Sequence, residues 1–407
     1  MGATGMPKGP MWLGRTLEPP ILPLIAQQDT AEHLRRRKPW NRAFNTAALK
    51  GYEPVVAERV SQFVHVLKSQ TGVVDLTQWI NAYSFDVMSD MAFGGGTDLL
   101  RKGDVDKLRW FMDSTMRFTM VLEVLPWLRG IAALIPYITR DIVRFRKMCI
   151  QRATRRLQSG STTKDLFHYL NNEDGVDTVS RPLSHVASDA VLAVVAGSDT
   201  TSVVLSNALF YVLNDREVYA KLKAEVDLYY PPGENACDTK HYGKMVYLDA
   251  VLNEAMRMYP PNLSGSQRAP MRGSGGKLVG PYFIPEGTSV RIHTFSLARD
   301  PRYFSPLADT FWPERWLLAE SDSEKNADFV HDIAAFVPFS FGTANCVGKN
   351  LAMLEMRMLL CCCIQQLDLA LAGDLVGDPG RWERELKDYF IVEKGRLPVT
   401  VKARGKA

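Results

Sequence analysis

The chain has 407 residues, 46% of them hydrophobic and 23% charged, with a formal net charge of +4 and a pI near 8.6. That content suits one large core or two ordinary ones; the charge is too weak to imply nucleic acid as a partner, and at most allows a local basic patch. Six cysteines (Cys149, Cys237, Cys346, Cys361, Cys362, Cys363) show neither metal-ligand spacing nor a disulfide framework, so a reducing compartment is the default.

Residues 1–29 are rich in Gly and Pro and read as loop. From Ala31 to about Glu53 the sequence is basic and helical. From Glu53 to Gln70, the residues Val55, Val56, Val60, Phe63, Val64 and Leu67 recur at a helical period. Leu76–Phe93 is another helix, ended by Gly94-Gly95-Gly96. No clear strand precedes that triplet and no Lys-Ser/Thr follows it, so it reads as a helix C-terminus and not as a phosphate loop. The stretch Phe118–Ile138 is strongly apolar, with Leu122, Val124, Leu125, Trp127, Leu128, Ile131, Leu134 and Ile135. Glu123, Pro126 and Arg129 interrupt it, so it does not span a bilayer. Core or pocket wall is the favoured reading, and contact with a membrane surface is the other. There is no signal peptide and no run of eighteen apolar residues, so no transmembrane segment is expected.

Pro182 to about Leu213 is a long, largely apolar helix, followed by helices over Asp215–Tyr229 and Lys244–Met258. Lys277–Glu286 reads as a hairpin and Thr288–Phe295 as a strand, from its alternating Val290, Ile292 and Thr294. Residues 300–345 are mostly irregular, Asn350–Leu367 is helical, and Tyr389–Val401 suggests terminal strands. No repeat is visible. The expectation is a single domain over residues 1–407, mainly α with a small β portion.

Three places carry chemistry. The segment Pro338-Phe339-Ser340-Phe341-Gly342-Thr343-Ala344-Asn345-Cys346-Val347-Gly348-Lys349 puts one cysteine before a helix start. Unpaired N–H groups and the helix dipole there favour thiolate, and a thiolate is a strong ligand for haem iron. Gly342 and Gly348 let the backbone turn tightly and approach a flat ligand. Second, Asp199 and Thr200 sit mid-helix in apolar company, an expensive place for a carboxylate. Ala196 and Gly197 beside them are small, so another object can approach, and Thr200 can bond back to a carbonyl one turn earlier. Such a hydroxyl and carboxylate can deliver protons; the plainer reading is a buried polar pair that kinks the helix. Third, Glu254 and Arg257 are neighbours on one helix face. Glu32 and Arg35 share that spacing, so spacing alone does not distinguish them.

Phe339-x-x-Gly342-x-x-x-Cys346-x-Gly348 resembles the cysteine-ligand loop of the cytochrome P450 family. Ala196-Gly197-Ser198-Asp199-Thr200-Thr201 is similar to the family's oxygen-binding helix. Glu254-Ala255-Met256-Arg257 and Phe311-Trp312-Pro313-Glu314-Arg315-Trp316 are similar to its Glu-x-x-Arg helix and the segment that supplies the network's third member. The four come in family order, and the resemblance runs from about Met6 to the C-terminus. Arg37-Lys38-Pro39-Trp40-Asn41-Arg42-Ala43-Phe44 and Ala344-Asn345-Cys346 look most like fungal, basidiomycete-type members.

The resemblance implies a cytochrome P450 fold holding haem b, with Cys346 as axial iron ligand and Phe339 and Gly342 in the cofactor loop. It gives Thr200 and Asp199 the proton-delivery roles, and Glu254, Arg257 and Arg315 an architectural network behind the cysteine loop. Haem propionates would meet His33, where a tryptophan is common, together with Arg37 and Arg268. Ala344 stands where many members carry Arg or His, which removes one such contact. The implied activity is that of a haem-thiolate monooxygenase, inserting one atom of dioxygen into a hydrophobic terpenoid, fatty or aromatic molecule of secondary metabolism. Electrons would come from NADPH-cytochrome P450 reductase, docking near Lys349, Arg357 and the Arg35–Arg42 cluster. Family analogy places such a protein on the cytosolic face of the endoplasmic reticulum membrane, with peripheral membrane contact.

The third family helix starts already near Thr30, so the anchor and first elements are expected to be missing and residues 1–29 to be a remnant of that front. The strand at Val290–Phe295 would then lose its partners and leave an open edge. Two other readings stand beside the monooxygenase: a haem-thiolate isomerase or dehydratase, against which the Asp199-Thr200 pair argues, and a non-catalytic haem-binding remnant.

Overall fold

The computed structural model describes residues 6–15, 21–161, 163–178, 181–321 and 328–405. In chain order the helices are α1 (Met11–Gly14), α2 (Thr30–Ala43), α3 (Thr46–Lys68), α4 (Leu76–Phe93), α5 (Leu99–Lys102), α6 (Leu108–Val124), α7 (Leu128–Ala133), α8 (Pro136–Ser159), α9 (Leu166–Leu170), α10 (Leu183–Asn214), α11 (Arg216–Tyr229), α12 (Val246–Met258), α13 (Thr294–Ala298), α14 (Glu314–Glu320), α15 (Lys349–Gln366), α16 (Asp374–Gly377) and α17 (Gly380–Arg384). The strands are β1 (Val73–Asp75), β2 (Lys277–Val279), β3 (Tyr282–Ile284), β4 (Phe304–Ser305), β5 (Val330–His331), β6 (Leu367–Leu371), β7 (Lys387–Tyr389), β8 (Ile391–Glu393) and β9 (Pro398–Ala403). The largest sheet is antiparallel in the order β1-β9-β6, and the remaining strands pair as β2-β3, β4-β5 and β7-β8. The chain is therefore mainly α with small antiparallel sheets.

Side-chain caps explain many boundaries. Asp29, Asn45 and Asp75 accept backbone N–H bonds at the starts of α2, α3 and α4. The cap at Asn45 divides what the sequence suggested as one helix from Ala31 to Glu53. Gly94 ends α4 in the left-handed conformation at φ 65°, as its triplet suggested. The core helix is α10, packed on α4, α12, α8 and α15. It is long and apolar enough by length and composition to cross a membrane, yet 61% of its most apolar window is buried inside the protein. A Cβ on Gly197 would come within 2.5 Å of Met88 Sδ, so the object that approaches this small residue is α4.

Two expectations are corrected. Thr288–Phe295 is not a strand: Val290 makes one bridge with Arg268, and helix α13 begins at Thr294 with His293 as its cap. Val290 pairs with Arg268 on one side, and Arg268 pairs in turn with Lys8 on its own other side. The supposed loop 1–29 contains α1 and a 3-10 turn at Leu24–Ala26; residues 1–5 and 16–20 lie outside the described residues. Met11 and Trp12 are buried, and Gly14 lets α1 approach so closely that a Cβ there would meet the Leu122 carbonyl oxygen of α6 at 1.9 Å.

Phe118–Ile138 is mostly neither core nor pocket wall. It comprises the end of α6, the short α7 and the start of α8. Leu122 faces inward, and the buried Glu123 carboxylate receives Arg15 Nε at 2.8 Å. Val121, Val124, Leu125, Trp127, Ile131, Leu134 and Ile135 are exposed, Trp127 at 68% and Leu134 at 82%. The side chains of Arg129 and Ile138 lie outside the described set.

Candidate active site

The cysteine loop closes on itself before α15 begins. Cys346 N–H donates to Phe339 O at 2.8 Å, and Asn345 N–H donates to Gly342 O at 3.1 Å. Gly342 takes φ 75°, which glycine adopts without strain. Arg37 on α2 grips the loop, donating to Asn345 O at 2.8 Å and to Asn345 Oδ1 at 3.1 Å, while its Nε takes Asn41 Oδ1 at 3.0 Å. Cys346 keeps accessible surface although protein surrounds it, so it stands at a recess. Burial pushes its thiol up, and the Gly348 N–H, Arg37 and the Lys349 N–H pull the other way. Burial wins, so the protein alone does not produce the heightened acidity expected from the helix start.

On α10, Thr200 Oγ1 donates to Ala196 O at 2.6 Å, one turn back. Ala196, Gly197 and Thr200 retain accessible surface on a helix otherwise mostly buried. Asp199 is buried and meets Arg109 of α6, with Nη1 at 2.5 Å from Oδ1. Asp113 also pairs with Arg109. Lys394 completes this cluster, donating to Asn81 Oδ1 and Ser202 Oγ at 2.9 Å each. Burial, then the Arg109 charge, pulls Lys394 down to about 8. Asp199 is therefore one member of a buried charge cluster spanning α6, α10 and the segment after β8.

A second cluster lies between α2, the N-terminal segment and the segment after α12. Burial and the charges of Arg268, Arg37 and Arg36 bring Lys8 down to about 7, and its Nζ donates to Leu24 O at 3.1 Å. Burial, then Lys8, Arg37, Arg268 and Arg36, lowers the His33 ring to about 4, so it is neutral. Asp189 neutralises Arg36. Among the described residues no carboxylate pairs with Lys8, Arg37 or Arg268.

The third cluster carries its own carboxylate. Glu254, Arg257 and Arg315 have no exposed side-chain surface. Arg257 donates twice to Glu254, at 2.9 and 2.8 Å, and Arg315 Nε reaches it at 3.1 Å. The Trp312 N–H and Trp316 Nε1 add bonds of 2.9 and 3.0 Å to the same carboxylate. Arg257 also takes the carbonyls of Ala298, Ala308 and Thr310. The Trp316 ring packs edge-on against Phe336 at 4.6 Å, just before the cysteine loop. Glu32 and Arg35, of the same spacing, form an exposed local pair instead.

A sequence profile described as Cytochrome P450 matches residues 19–379. The chain belongs to the cytochrome P450 family. It is 34% identical to Cytochrome P450 monooxygenase FCK2 of Fusarium pseudograminearum over 86% of this chain and 62% of that protein. It is 32% identical to Cytochrome P450 67 of Uromyces fabae, over 96% of this chain and 73% of that protein. Tryprostatin B 6-hydroxylase of Aspergillus fumigatus is 28% identical over 95% of this chain and 67% of its own length. The chain thus spans under two thirds of the first of these relatives.

The cofactor of a cytochrome P450 is haem b, and this P450 chain offers donors that fit it. The accessible Cys346 sulfur suits an iron ligand, and the uncompensated cations Lys8 and Arg268 suit a pair of carboxylates. Arg37 has its guanidinium on the cysteine loop. Sequence reasoning missed Lys8, Arg109 and Lys394, whose partners are remote in sequence. Trp312 and Trp316 lay in a segment already singled out.

Proposed function

We propose that this P450 is a haem-thiolate monooxygenase that inserts one atom of dioxygen into a hydrophobic small molecule, the other atom leaving as water. The observation that carries the reading is the accessible Cys346 sulfur at the head of α15, in a loop fastened by Arg37. Haem, when bound there, supplies the oxygen chemistry. Cys346 would hold the iron, Phe339 and Gly342 shape the loop, and His33, Arg37, Arg268 and Lys8 face the propionates. Thr200 Oγ1 passes a proton on the oxygen side, and Asp199 feeds it through its carboxylate once Arg109 parts from it. Val191 and Val195 keep accessible surface on the same helix, which favours an apolar substrate of the terpenoid, fatty or aromatic kind.

NADPH-cytochrome P450 reductase is the proposed electron donor. Of the docking charges suggested by the sequence, Arg36 and Arg37 are buried, and Arg357 pairs twice with Asp249 at 2.6 Å. Lys38 and Lys349 stay exposed and carry that role best. The exposed apolar face of residues 121–135 supports peripheral contact with a membrane, on the cytosolic face of the endoplasmic reticulum.

Haem reconstitution and a reduced carbon-monoxide spectrum test the reading. Thiolate-type absorption, lost in Cys346→Ser together with product formation in the presence of reductase, is the expected outcome. Absorption unchanged by that substitution, histidine-type absorption or failure to take up haem would refute it.

A further inference from the structure

Cys237 closes the segment 231–237 that follows α11, and its Sγ lies 3.3 Å from Sγ of Cys362 on α15. Two thiols this close are in contact, and bond formation needs roughly 1 Å of approach, to a length of about 2.05 Å. The Cys237 N–H donates to Asn235 Oδ1 at 3.0 Å, which fixes the turn. Its sulfur also reaches Ala57 O and Ser61 Oγ on α3, each at 3.9 Å. Cys237 is half-buried and Cys362 is buried, so a small solute reaches the first sulfur and not the second. Cys361 and Cys363 flank Cys362 but point elsewhere on the helix.

We propose that Cys237 and Cys362 are a peroxide-oxidised dithiol, in which hydroperoxide converts the pair to an intramolecular disulfide that staples the 231–238 segment to α15. The Cys237 sulfur attacks hydrogen peroxide, giving a sulfenic acid and one water. The Cys362 sulfur then attacks the sulfenic sulfur, and the hydroxyl leaves with the Cys362 proton as a second water. In sum, two thiols and one hydrogen peroxide give one disulfide and two waters. The hydrogen bond from Cys362 to Cys237 lowers the Cys237 thiol and raises that of Cys362, which sorts attacking from resolving sulfur. Uncoupled reduction of dioxygen would supply the peroxide; that source rests on the function proposed above, whereas the chemistry of the pair does not.

The test therefore adds hydrogen peroxide directly to the purified chain. The protein is quenched with N-ethylmaleimide, denatured, digested without reduction and read by mass spectrometry. The expected product is a peptide pair short of two hydrogens, with fragment ions that place the bond between Cys237 and Cys362. Four of the six thiols stay alkylated, and dithiothreitol restores the other two. Cys237→Ser, on a half-buried turn and checked by circular dichroism, abolishes the product. Recovery of Cys237 as free thiol, its conversion to sulfinic acid with Cys362 alkylated, or a bond to Cys361 or Cys363 overturns the proposal.

Discussion

The Glu254 network and the region built from residues 6–15, 21–40 and 108–135 with Arg268 both bury charge and apolar surface, but they end differently. In the first, one carboxylate receives two guanidiniums, a backbone N–H and an indole, and the arginines also donate to backbone carbonyls, leaving Arg315 Nη1 as the network's one guanidinium nitrogen without a partner among the described residues. In the second, Lys8 and Arg268 find no carboxylate among the described residues, and Val121, Val124, Leu125, Trp127, Ile131, Leu134 and Ile135 face solvent. Burying an ion without a partner costs free energy, which the chain limits by giving up the charge or offsets by binding an opposite one. A region completed by its own residues holds architecture. On the function proposed above, one left with surplus cations and apolar area would be completed by cofactor and surroundings.

The largest effect is expected where the closed network is opened. Arg257→Met leaves Glu254 short of its bidentate partner and the carbonyls of Ala298, Ala308 and Thr310 without donors. Removing one member of a buried pair costs about 3–5 kcal/mol, so chemical denaturation should show a loss of that order, and haem uptake should fail with it. A loss below about 1 kcal/mol, the scale of an exposed pair, would mean that the network is not closed.

Lys8 sharpens the comparison from the other side. Its folded value of about 7 lies below the ordinary 10.5, so between those values the unfolded chain binds more protons. Stability of the haem-free chain therefore rises with pH from about 7 towards 10, at up to about 1.4 kcal/mol per pH unit from this one group. Lys394, at about 8, adds a rise of the same sign, and Glu355, raised to about 8 by burial, an opposing fall, so the readout is the difference between the chain and Lys8→Met. The substitution should flatten the slope by roughly 1 kcal/mol per unit, stabilise the haem-free chain by about 2 kcal/mol near pH 7 and speed haem loss. An unchanged slope would show that Lys8 finds an anion within the chain.

The comparison also explains what could be read before the fold was known. Cys346, Gly94, Glu254 and Arg257 are legible because each acts through neighbours in sequence: a turn, a cap, a residue one helical turn away. Lys8 is not, because its meaning comes from Arg268 and Arg37, brought to it by backbone pairing across 260 positions. Arg109 joins Asp199 across the packing of α6 near α10, which no local period announces. The apolar run 118–138 misled because composition records how much apolar surface exists, not which side of a helix meets the core.

That run gives the smallest expected effect and the most direct view of what completes the second region. Val124, Trp127, Ile131 and Leu134 form an exposed apolar set on the end of α6 and on α7, and exposed Arg144 and Lys147 follow on α8. Single exposed hydrophobics are ordinary, but several within eleven residues, followed by cations, suit an anionic lipid surface. Trp127→Ser should weaken co-sedimentation with phosphatidylserine-containing vesicles roughly fivefold, about 1 kcal/mol, for one partly inserted ring. Leu228→Ser serves as control, since Leu228 is equally exposed, at 73%, but stands on α11. Equal losses from both variants would reduce the effect to general hydrophobicity. A loss confined to Trp127→Ser would make a lipid surface one partner of this region, beside the haem proposed for its cations.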